Sequence, residues 1–309
     1  MDYELTLFDR IEVIKATNQK YDLEKNAYLS FSGGKDSTIL HHLLDMALPN
    51  NNIPRVFIDT GIEFTMIRDF VLELAEKDKR FVILKPTRPI KQTLEKYGYP
   101  FKSKEHSRKV ATYQNNGYCP SACLKAYANG GGEFINDKGE KKQTMFACPS
   151  VLRYQFTPEN KIKISDKCCF KLKKEPAHKW QVANNKTIVL TGMRSEEGGA
   201  RARLNCVVTN KEGKIVKFHP LVKVDEEWEN EFISKNNVYI CKIYQEPYNF
   251  KRTGCKGCPY ALNLQHDLEV MEKYMPNERK QCEVIWKPIY EEYRRLGYRL
   301  KKVEEIKLL

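Results

Sequence analysis

The sequence has no long apolar run, and this absence sets the first limits on its function. No stretch approaches the roughly 18 apolar residues of a membrane-spanning helix. Residues 1–10 contain early acidic side chains and no signal-like apolar core, so we expect a cytoplasmic protein with no membrane partner. The chain has no internal repeat and no low-complexity tail. It also lacks the spacing G-x-x-x-x-G-K-S/T, which excludes a Walker A phosphate loop.

The composition is that of a globular protein with excess positive charge and many cysteines. The 309 residues are 41% hydrophobic, which is enough for a core, and carry a formal net charge of +13. Such an excess favours polyanions such as nucleotides or nucleic acid, although an ordinary lysine-rich surface gives the same total. The 10 cysteines are poor disulfide candidates in a reducing compartment, so thiolate metal ligation is the natural explanation for any that cluster.

Short apolar runs alternate with helical patterns along much of the chain. Strands are predicted at 27–32, 55–58, 81–84 and 187–191, with helices at 36–46, 64–76, 89–97 and 175–182. This alternation is typical of an α/β fold with a doubly wound, mostly parallel sheet. Two short strands at 204–209 and 214–218, a helix at 225–235 and two C-terminal helices broken near Pro276 complete the prediction.

The chain divides into three expected regions. Residues 1–102 and 164–250 form the predicted nucleotide-binding α/β domain. Residues 103–163 are rich in Lys, Asn, Gly and Tyr, with a hairpin turn at 136–139, and we interpret them as an insertion lying over the site. Residues 251–309 contain a cysteine loop and the C-terminal helices.

A phosphate-binding loop is predicted where the first strand meets its helix. Its members are Ser32, Gly33, Gly34, Lys35, Asp36 and Ser37. Glycines let the backbone approach a phosphate closely, and the N–H groups that open the helix bind anions. Lys35 adds positive charge and the serines add hydroxyl donors. A carboxylate at Asp36 either holds Mg²⁺ on the phosphates or stabilises the helix N-terminus.

The segment S-F-S-G-G-K-D-S-T resembles the PP-loop of N-type ATP pyrophosphatases. Two further segments resemble motifs of the phosphoadenosine phosphosulfate (PAPS) reductase family: D-T-G-I-E-F from Asp59, and T-G-M-R-S-E from Thr191, followed by Arg201. The resemblance implies a Rossmann-like fold of the adenine nucleotide alpha hydrolase type. It also implies nucleotide contacts at Asp59, Gly192, Arg194 and Arg201, in addition to the loop. The alternatives are a helix cap at Asp59 and a solvated charge cluster at the arginines.

Two pairs of cysteines stand far apart in sequence, Cys168-Cys169 and Cys255-x-x-Cys258. Together they can supply four thiolates to one metal centre, although adjacent cysteines suit a single tetrahedral ion poorly. The arrangement resembles the 4Fe–4S signature of the assimilatory sulfonucleotide reductases, which implies such a cluster here. Zinc, or no metal, are the alternatives. The remaining candidates are a weaker group without an assigned role, Cys119, Cys123 and Cys148, and an alternative ligand, Cys206.

One departure from the resemblance decides the predicted reaction. Sulfonucleotide reductases carry a nucleophilic cysteine in an E-C-G-I/L-H motif near the C-terminus, whereas this sequence has no cysteine after Cys282. We therefore expect the loop to bind ATP or a related adenine nucleotide with Mg²⁺. An acceptor oxygen then attacks the α-phosphate and pyrophosphate leaves, with Lys35, Asp36 and Arg194 as catalytic residues.

The acceptor follows from the resemblance and from the charge. Related ATPases of tRNA thiolation and DNA phosphorothioation imply sulfur transfer to tRNA or DNA, with a sulfur-donor protein such as a cysteine desulfurase. One alternative is reduction of PAPS or adenylylsulfate by a thiol of Cys119, Cys123 or Cys282. Another is a non-catalytic subunit of a modification or defence complex that senses nucleotides or binds nucleic acid.

Overall fold

A computed structural model describes residues 2–117, 121–197 and 201–302, with Glu197 described by its backbone alone. Its contacts divide the chain into two compact units, each built from two separate segments. The first unit contains residues 1–87 and 173–254, and the second contains residues 88–172 and 255–309. No helix in the described ranges is long and apolar enough to cross a bilayer.

The first unit is an α/β structure built on six strands. The strands are β1 (Ala27–Ser30), β2 (Arg55–Ile58), β3 (Phe81–Leu84), β6 (Ile188–Leu190), β7 (Val207–Thr209) and β8 (Ile215–Phe218). The helices are α1 (Tyr3–Tyr21), α2 (Leu23–Asn26), α3 (Lys35–Ala47), α4 (Thr65–Lys77), α9 (Glu175–Ala183) and α10 (Glu226–Lys235).

The strand order explains where a ligand can bind. The order is β3-β2-β1-β6-β8-β7, and every neighbouring pair is parallel except β7 and β8. The predicted mostly parallel α/β sheet is confirmed. From β1 the chain goes to β2 on one side, and β6 later pairs with β1 on the other side. This point of reversal is where open parallel sheets bind ligands, outside the carboxyl ends of their strands.

The buried apolar side chains of α3 fix the position of this helix, which follows β1. Four apolar residues at helical spacing, Ile39, Leu40, Leu43 and Leu44, are fully buried, as is Leu29 of β1. Burying such a side chain contributes about 1.5–3 kcal/mol. The N-terminal end of α3 is therefore held at the carboxyl end of β1, where the predicted phosphate loop lies.

The sequence pattern gave no prediction for α1, the 19-residue helix at the N-terminus. Its buried positions are Tyr3, Arg10, Ile14 and Thr17, so half of the buried stripe is polar. Two large apolar residues of the same helix, Leu5 and Phe8, are exposed. The mixed pattern conceals the helical period from which amphipathic helices are identified.

The second unit is mainly helical. Its helices are α5 (Ile90–Tyr97), α6 (Lys104–Asn115), α7 (Ala122–Ala128), α8 (Lys167–Cys169), α11 (Leu264–Tyr274), α12 (Pro276–Ile285) and α13 (Lys287–Leu296). A hairpin of β4 (Glu133–Ile135) and β5 (Lys141–Gln143) surrounds the predicted turn. The C-terminal region contains three described helices where two were predicted, because a second break occurs at Trp286. Pro288 follows that break, and its ring cannot continue the ladder of the preceding helix.

The grouping of contacts differs from the three regions expected from the sequence. Residues 88–102 and 164–172 belong to the same unit as the expected insertion and the C-terminal helices. Backbone bonds explain this grouping. The Tyr99 N–H donates to the Lys163 carbonyl and the Ser165 N–H donates to the Tyr99 carbonyl, each at 2.8 Å, while the Lys102 N–H donates to the Tyr293 hydroxyl at 2.8 Å.

Candidate nucleotide-binding site

The loop between β1 and α3 requires glycine at its centre. Gly33 has a φ of +71°, in the left-handed region that side chains disfavour. A Cβ there would come within 2.8 Å of Val71 Cγ2 and 2.9 Å of Ile67 Cγ2, both on α4. The loop backbone therefore packs directly against α4. Any side chain at residue 33 would displace the loop from the carboxyl end of β1.

Two serines hold the shape of this loop. The Ser32 and Ser37 hydroxyls lie 3.0 Å apart, and Ser37 donates to the Gly34 carbonyl at 2.9 Å. Gly34 is the residue that precedes α3, and it provides no side-chain cap. The N-terminal end of this 13-residue helix therefore keeps its capacity to bind an anion through backbone N–H groups.

A charged cluster surrounds the start of α3. Lys35 Nζ lies 3.5 Å from Glu229 Oε2, and Arg194 Nε lies 3.2 Å from Glu229 Oε1. Arg194 also pairs with Glu196 at 2.6 Å and lies 3.9 Å from Asp36 Oδ1. The structure thus brings together the three predicted catalytic residues, Lys35, Asp36 and Arg194. The cluster combines two cations with a helix N-terminus, which is a suitable arrangement for a phosphate chain.

Glu229 is the central residue of this cluster, and the sequence analysis missed it. Its side chain is fully buried, and that burial, together with the nearby Asp36 carboxylate, raises the pKa of Glu229 to about 8. Lys35 and Arg194 oppose this rise. Near neutral pH the group is therefore largely protonated. One signal was available in the sequence, since Glu229 lies on α10 between Trp228 and Phe232, which are both buried.

Gly192 explains how Arg194 reaches the cluster. A Cβ on Gly192 would lie 2.7 Å from the Asp36 carbonyl oxygen, so the segment after β6 packs against the first turn of α3. The preceding Thr191 hydroxyl lies 2.6 Å from Nδ1 of His219, whose side chain is fully buried. Burial lowers the pKa of His219 and keeps it neutral. These contacts fix the position from which the Arg194 side chain extends.

Asp59 lies at the carboxyl end of β2, as predicted, but its carboxylate is already engaged. Its Oδ2 accepts from Arg68 Nε at 3.1 Å and its Oδ1 from the Gly61 N–H at 3.2 Å. The next residue, Thr60, donates from its N–H to Glu63 at 2.9 Å. These bonds orient the carboxylate but do not cap α4, whose N-cap is Phe64 without a side-chain bond, so the nucleotide contact of Asp59 stays a prediction.

The remaining predicted nucleotide-binding arginine is Arg201. It is half-buried, and the residues that join it to Glu197 lie outside the described ranges.

Tyr244 and Thr253 also border the loop, and the sequence analysis assigned neither. A Cβ on Gly34 would lie 3.2 Å from the Tyr244 hydroxyl and 3.9 Å from Thr253 Oγ1. The two hydroxyls are hydrogen-bonded to each other. Burial raises the pKa of Tyr244, so its phenol stays neutral. Thr253 lies two positions before Cys255, the first cysteine of the predicted Cys255-x-x-Cys258 pair.

The four predicted metal-binding cysteines all belong to the second unit. Cys168 and Cys169 lie on α8, while Cys255 and Cys258 lie on a turn closed by a 3.2 Å bond from the Cys258 N–H to the Cys255 carbonyl. Trp286, at the junction of α12 and α13, and Tyr290 of α13 hold this turn through its carbonyl groups. Trp286 Nε1 donates to the Lys256 carbonyl at 3.0 Å, and Tyr290 donates to that of Gly257.

The described cysteines do not form a site for a single metal ion, and the predicted metal centre stays a prediction. None of the described cysteines forms a disulfide. Among the described residues, no three His, Cys, Asp or Glu side chains converge closely enough to hold a metal ion. Burial raises the pKa of the Tyr260 phenol, and the nearby Cys169 and Cys258 raise it further, so Tyr260 lies close to one cysteine of each pair.

The other cysteines differ in position and reactivity. Cys282 is fully buried, and burial raises its pKa to about 12, so it supplies almost no thiolate. Burial raises the pKa of Cys148 to about 11. Cys123 is half-buried, with Lys109 Nζ 3.9 Å from its sulfur. Cys206 belongs to the first unit, and Cys119 lies outside the described residues.

A glycine loop joins a buried strand to a helix at the point where the parallel sheet reverses its strand order, an arrangement that defines the class of nucleotide-binding α/β proteins. The family comparison agrees with this class. The model of the phosphoadenosine phosphosulfate reductase domain matches residues 26–123 and 137–261. The chain therefore belongs to the phosphoadenosine phosphosulfate reductase domain family.

Comparison with individual proteins gives more distant similarities. An uncharacterized protein of Methanocaldococcus jannaschii is 26% identical over 94% of this chain, and the match covers 57% of that relative. The chain thus spans little more than half the length of this curated relative.

Among solved structures, a PAPS reductase from Candida auris in its phosphate complex has a TM-score of 0.44 and 18% identity, over 78% of this chain and 87% of that one. An NH3-dependent NAD synthetase from Campylobacter jejuni has a TM-score of 0.40 and 12% identity, over 94% and 96%. The FMN adenylyltransferase of Candida glabrata has a TM-score of 0.43 and 16% identity, over 81% and 61%.

Proposed function

We propose that this protein binds ATP at the Gly33-Gly34 loop and activates an acceptor by adenylylation, with release of pyrophosphate. The observation that carries the proposal is the convergence of Lys35 and Arg194 on the buried Glu229, next to the N-terminus of α3. The two cations come from separate elements, the start of α3 and the segment after β6, and a phosphate chain between them would be bound from both sides.

The reaction forms one bond and breaks one. An acceptor oxygen bonds to the α-phosphorus, the bond from that phosphorus to the α–β bridging oxygen breaks, and its electron pair leaves with pyrophosphate. The acceptor proton passes to solvent water. Lys35, Arg194 and the α3 N–H groups stabilise the negative charge that develops on the leaving group. Asp36, a partly exposed carboxylate, would hold a Mg²⁺ ion bound with ATP, and that ion would neutralise further phosphate charge.

The net charge of +13 favours a nucleic acid, so we take tRNA or DNA as the acceptor and a sulfur-donor protein such as a cysteine desulfurase as the partner. An adenylylated oxygen is a good leaving group, and sulfur transfer is a reaction that it would permit.

We also propose that Cys168, Cys169, Cys255 and Cys258 hold a 4Fe–4S cluster. The four thiols share one unit, and Tyr260 lies near a member of each pair. A cubane separates its thiolate ligands more widely than a single zinc ion does, so it fits adjacent cysteines better. Anaerobically purified protein should contain iron and sulfide, and Cys258→Ser should lower both. The matched Cys148→Ser variant should retain them, and a metal-free or zinc-loaded wild type would refute the cluster.

Reduction of a sulfonucleotide would need a thiol other than Cys282, which is buried and protonated, and the half-buried Cys123 is the candidate among the described residues. Thioredoxin-dependent sulfite release from PAPS or adenylylsulfate would nevertheless establish it. Tight ATP binding without pyrophosphate exchange would instead indicate the nucleotide-sensing alternative.

The direct test measures pyrophosphate release from Mg-ATP with total tRNA or DNA present. Lys35→Gln should reduce the rate by about 10²-fold, the usual effect of removing one transition-state donor. Lys25→Gln removes the same charge at an exposed position and should leave the rate unchanged. Wild-type protein that neither binds ATP nor releases pyrophosphate with any nucleic acid would refute the proposed function.

A further inference from the structure

The second unit contains a cavity of about 510 Å³ that has no role in the proposed function. Its walls are the last turn of α5, the last turn of α6 and the segment 160–167. The volume lies within the range of about 300–1,000 Å³ that is typical of ligand sites. The cavity is therefore large enough for a nucleotide-sized group.

Four lysines make this cavity strongly positive. Lys96, Lys161, Lys163 and Lys167 line it, and none of them forms an ion pair with a carboxylate in the described ranges. The C-terminal ends of α5 and α6 also point their partial negative charge towards this region, at roughly half a charge each. Four ammonium groups exceed that contribution several-fold, so the cavity favours an anion with more than one charge.

The walls are fixed by hydrogen bonds and do not depend on a ligand for their shape. Gln114 of α6 donates to the Ile162 carbonyl at 2.8 Å and accepts from the Ile164 N–H at 3.2 Å. On the opposite side, the backbone bonds of Tyr99 hold residues 163–165 against the end of α5. A site that is already formed binds with a smaller entropic penalty.

Tyr97 adds an aromatic surface to the same cavity. Its side chain is half-buried, and Lys96 Nζ lies 5.6 Å from its ring centroid. An aromatic ring beside lysines is the combination with which proteins bind single strands, because bases stack on the ring while ammonium groups contact phosphates.

We propose that this cavity binds a single-stranded segment of nucleic acid, with phosphodiester groups on the four lysines and a base on Tyr97. The inference rests on the proposed function in one respect, since it takes the acceptor to be a nucleic acid. It locates on the second unit a binding site for that acceptor, separate from the residues that bind ATP.

The test is fluorescence anisotropy with labelled 12-nucleotide single strands, one of RNA and one of DNA, without ATP and over a range of salt concentrations. For single strands, the slope of log K against log salt changes by about 0.7 for each phosphate contact. Lys96→Gln/Lys161→Gln should therefore reduce the slope by about 1.4. The control Lys273→Gln/Lys280→Gln removes two exposed lysines of the same unit that do not line the cavity, and should leave the slope unchanged.

A second variant separates stacking from charge. Tyr97→Leu should weaken binding roughly five- to tenfold at every salt concentration without changing the slope. Equal slopes for the two double variants would overturn the proposal. So would competition by AMP or inorganic pyrophosphate as strong as that by an unlabelled oligonucleotide, since the site would then bind small anions. The strand that binds more tightly identifies the source as RNA or DNA.

The two proposals fail in different ways. Oligonucleotide binding that depends on Lys96 and Lys161, without pyrophosphate release, would contradict the proposed function alone. If pyrophosphate release requires nucleic acid, and Lys96→Gln/Lys161→Gln changes neither that release nor oligonucleotide binding, the cavity proposal alone would be contradicted.

Discussion

Replacing Glu229 by glutamine keeps the shape of the side chain and removes its titration. In the wild type, burial and Asp36 raise the pKa of this carboxyl to about 8, whereas an unfolded glutamate has a pKa of about 4.3. The folded protein therefore holds a proton that the unfolded chain has already released. The stability that this proton contributes is complete below about pH 4.3 and is lost as the pH rises towards 8.

The magnitude follows from the linkage between protons and folding. One proton bound only in the folded state lowers the free energy of unfolding by about 3 kcal/mol between pH 5 and pH 7. Glutamine resembles protonated glutamate, so Glu229→Gln and the wild type should have similar stability at pH 5. At pH 7 the variant should be more stable by roughly that amount, because the unfolded wild-type chain gains free energy by releasing the Glu229 proton and glutamine has no such proton to release.

Urea denaturation of both proteins at pH 5, 6 and 7 measures this difference directly. The exposed Glu227→Gln on the same helix is the matched control and should follow the wild type at each pH. A difference between Glu229→Gln and wild type that stays constant from pH 5 to pH 7 would refute the reasoning.

The same carboxyl predicts proton uptake on nucleotide binding. Phosphate charge beside Glu229 favours its protonated form, so ATP affinity in the wild type should fall above pH 8, by at most tenfold per pH unit. Calorimetry in buffers of different ionisation enthalpy should detect this uptake, and Glu229→Gln should lose it. Equal uptake in both proteins would show that another group takes the proton.

Three further substitutions test the local geometry. Gly33→Ala should lower the free energy of unfolding by about 1–3 kcal/mol and abolish ATP binding, because residue 33 has a positive φ and its Cβ would contact Val71. ATP binding of wild-type strength in calorimetry would contradict this prediction. Gly257→Ala places a Cβ 2.7 Å from the Cys282 sulfur, so the melting temperature and the iron content should both fall. An unchanged iron content would show that the conformation of this turn is not needed for metal binding. Burial lowers the pKa of His219, so the free energy of unfolding of the wild type should fall as the pH drops below about 6.5. In His219→Gln this decrease should be smaller. Urea titrations at pH 5 and pH 7 measure it, and an equal decrease in the two proteins would contradict the prediction.

The parts of the fold that the sequence predicted are those with local signals. The bounds of β2 and β3 agree with the predicted runs, since each is a short apolar segment between helical patterns. The phosphate loop was equally local, because Gly33 and Gly34 follow directly on a buried strand.

The features that were missed depend on distant contacts. Glu229 gains its role only because α10 packs beside the start of α3, which places its carboxyl between Lys35 and Arg194. The basic cavity joins Lys96 to residues 161–167, more than 60 positions away in sequence. Helical periodicity does not predict either of these contacts between distant parts of the chain.

The interleaving of the two units has a consequence for synthesis of the chain. Each unit uses two separated segments, so neither can be completed from a continuous half of the protein. The first unit lacks α9, β6, β7, β8 and α10 until its second segment, residues 173–254, has been made, and the second unit both begins later, at residue 88, and finishes later.

The chain passes from the second unit to the first just after Cys168-Cys169, and returns at Cys255. Both cysteine pairs therefore stand at the crossings. A group bound by all four would join the two crossings covalently into one closed ring of backbone, enclosing residues 170–254. Such a group could bind all four cysteines only after residue 258 has been synthesised, when both segments of the first unit are complete.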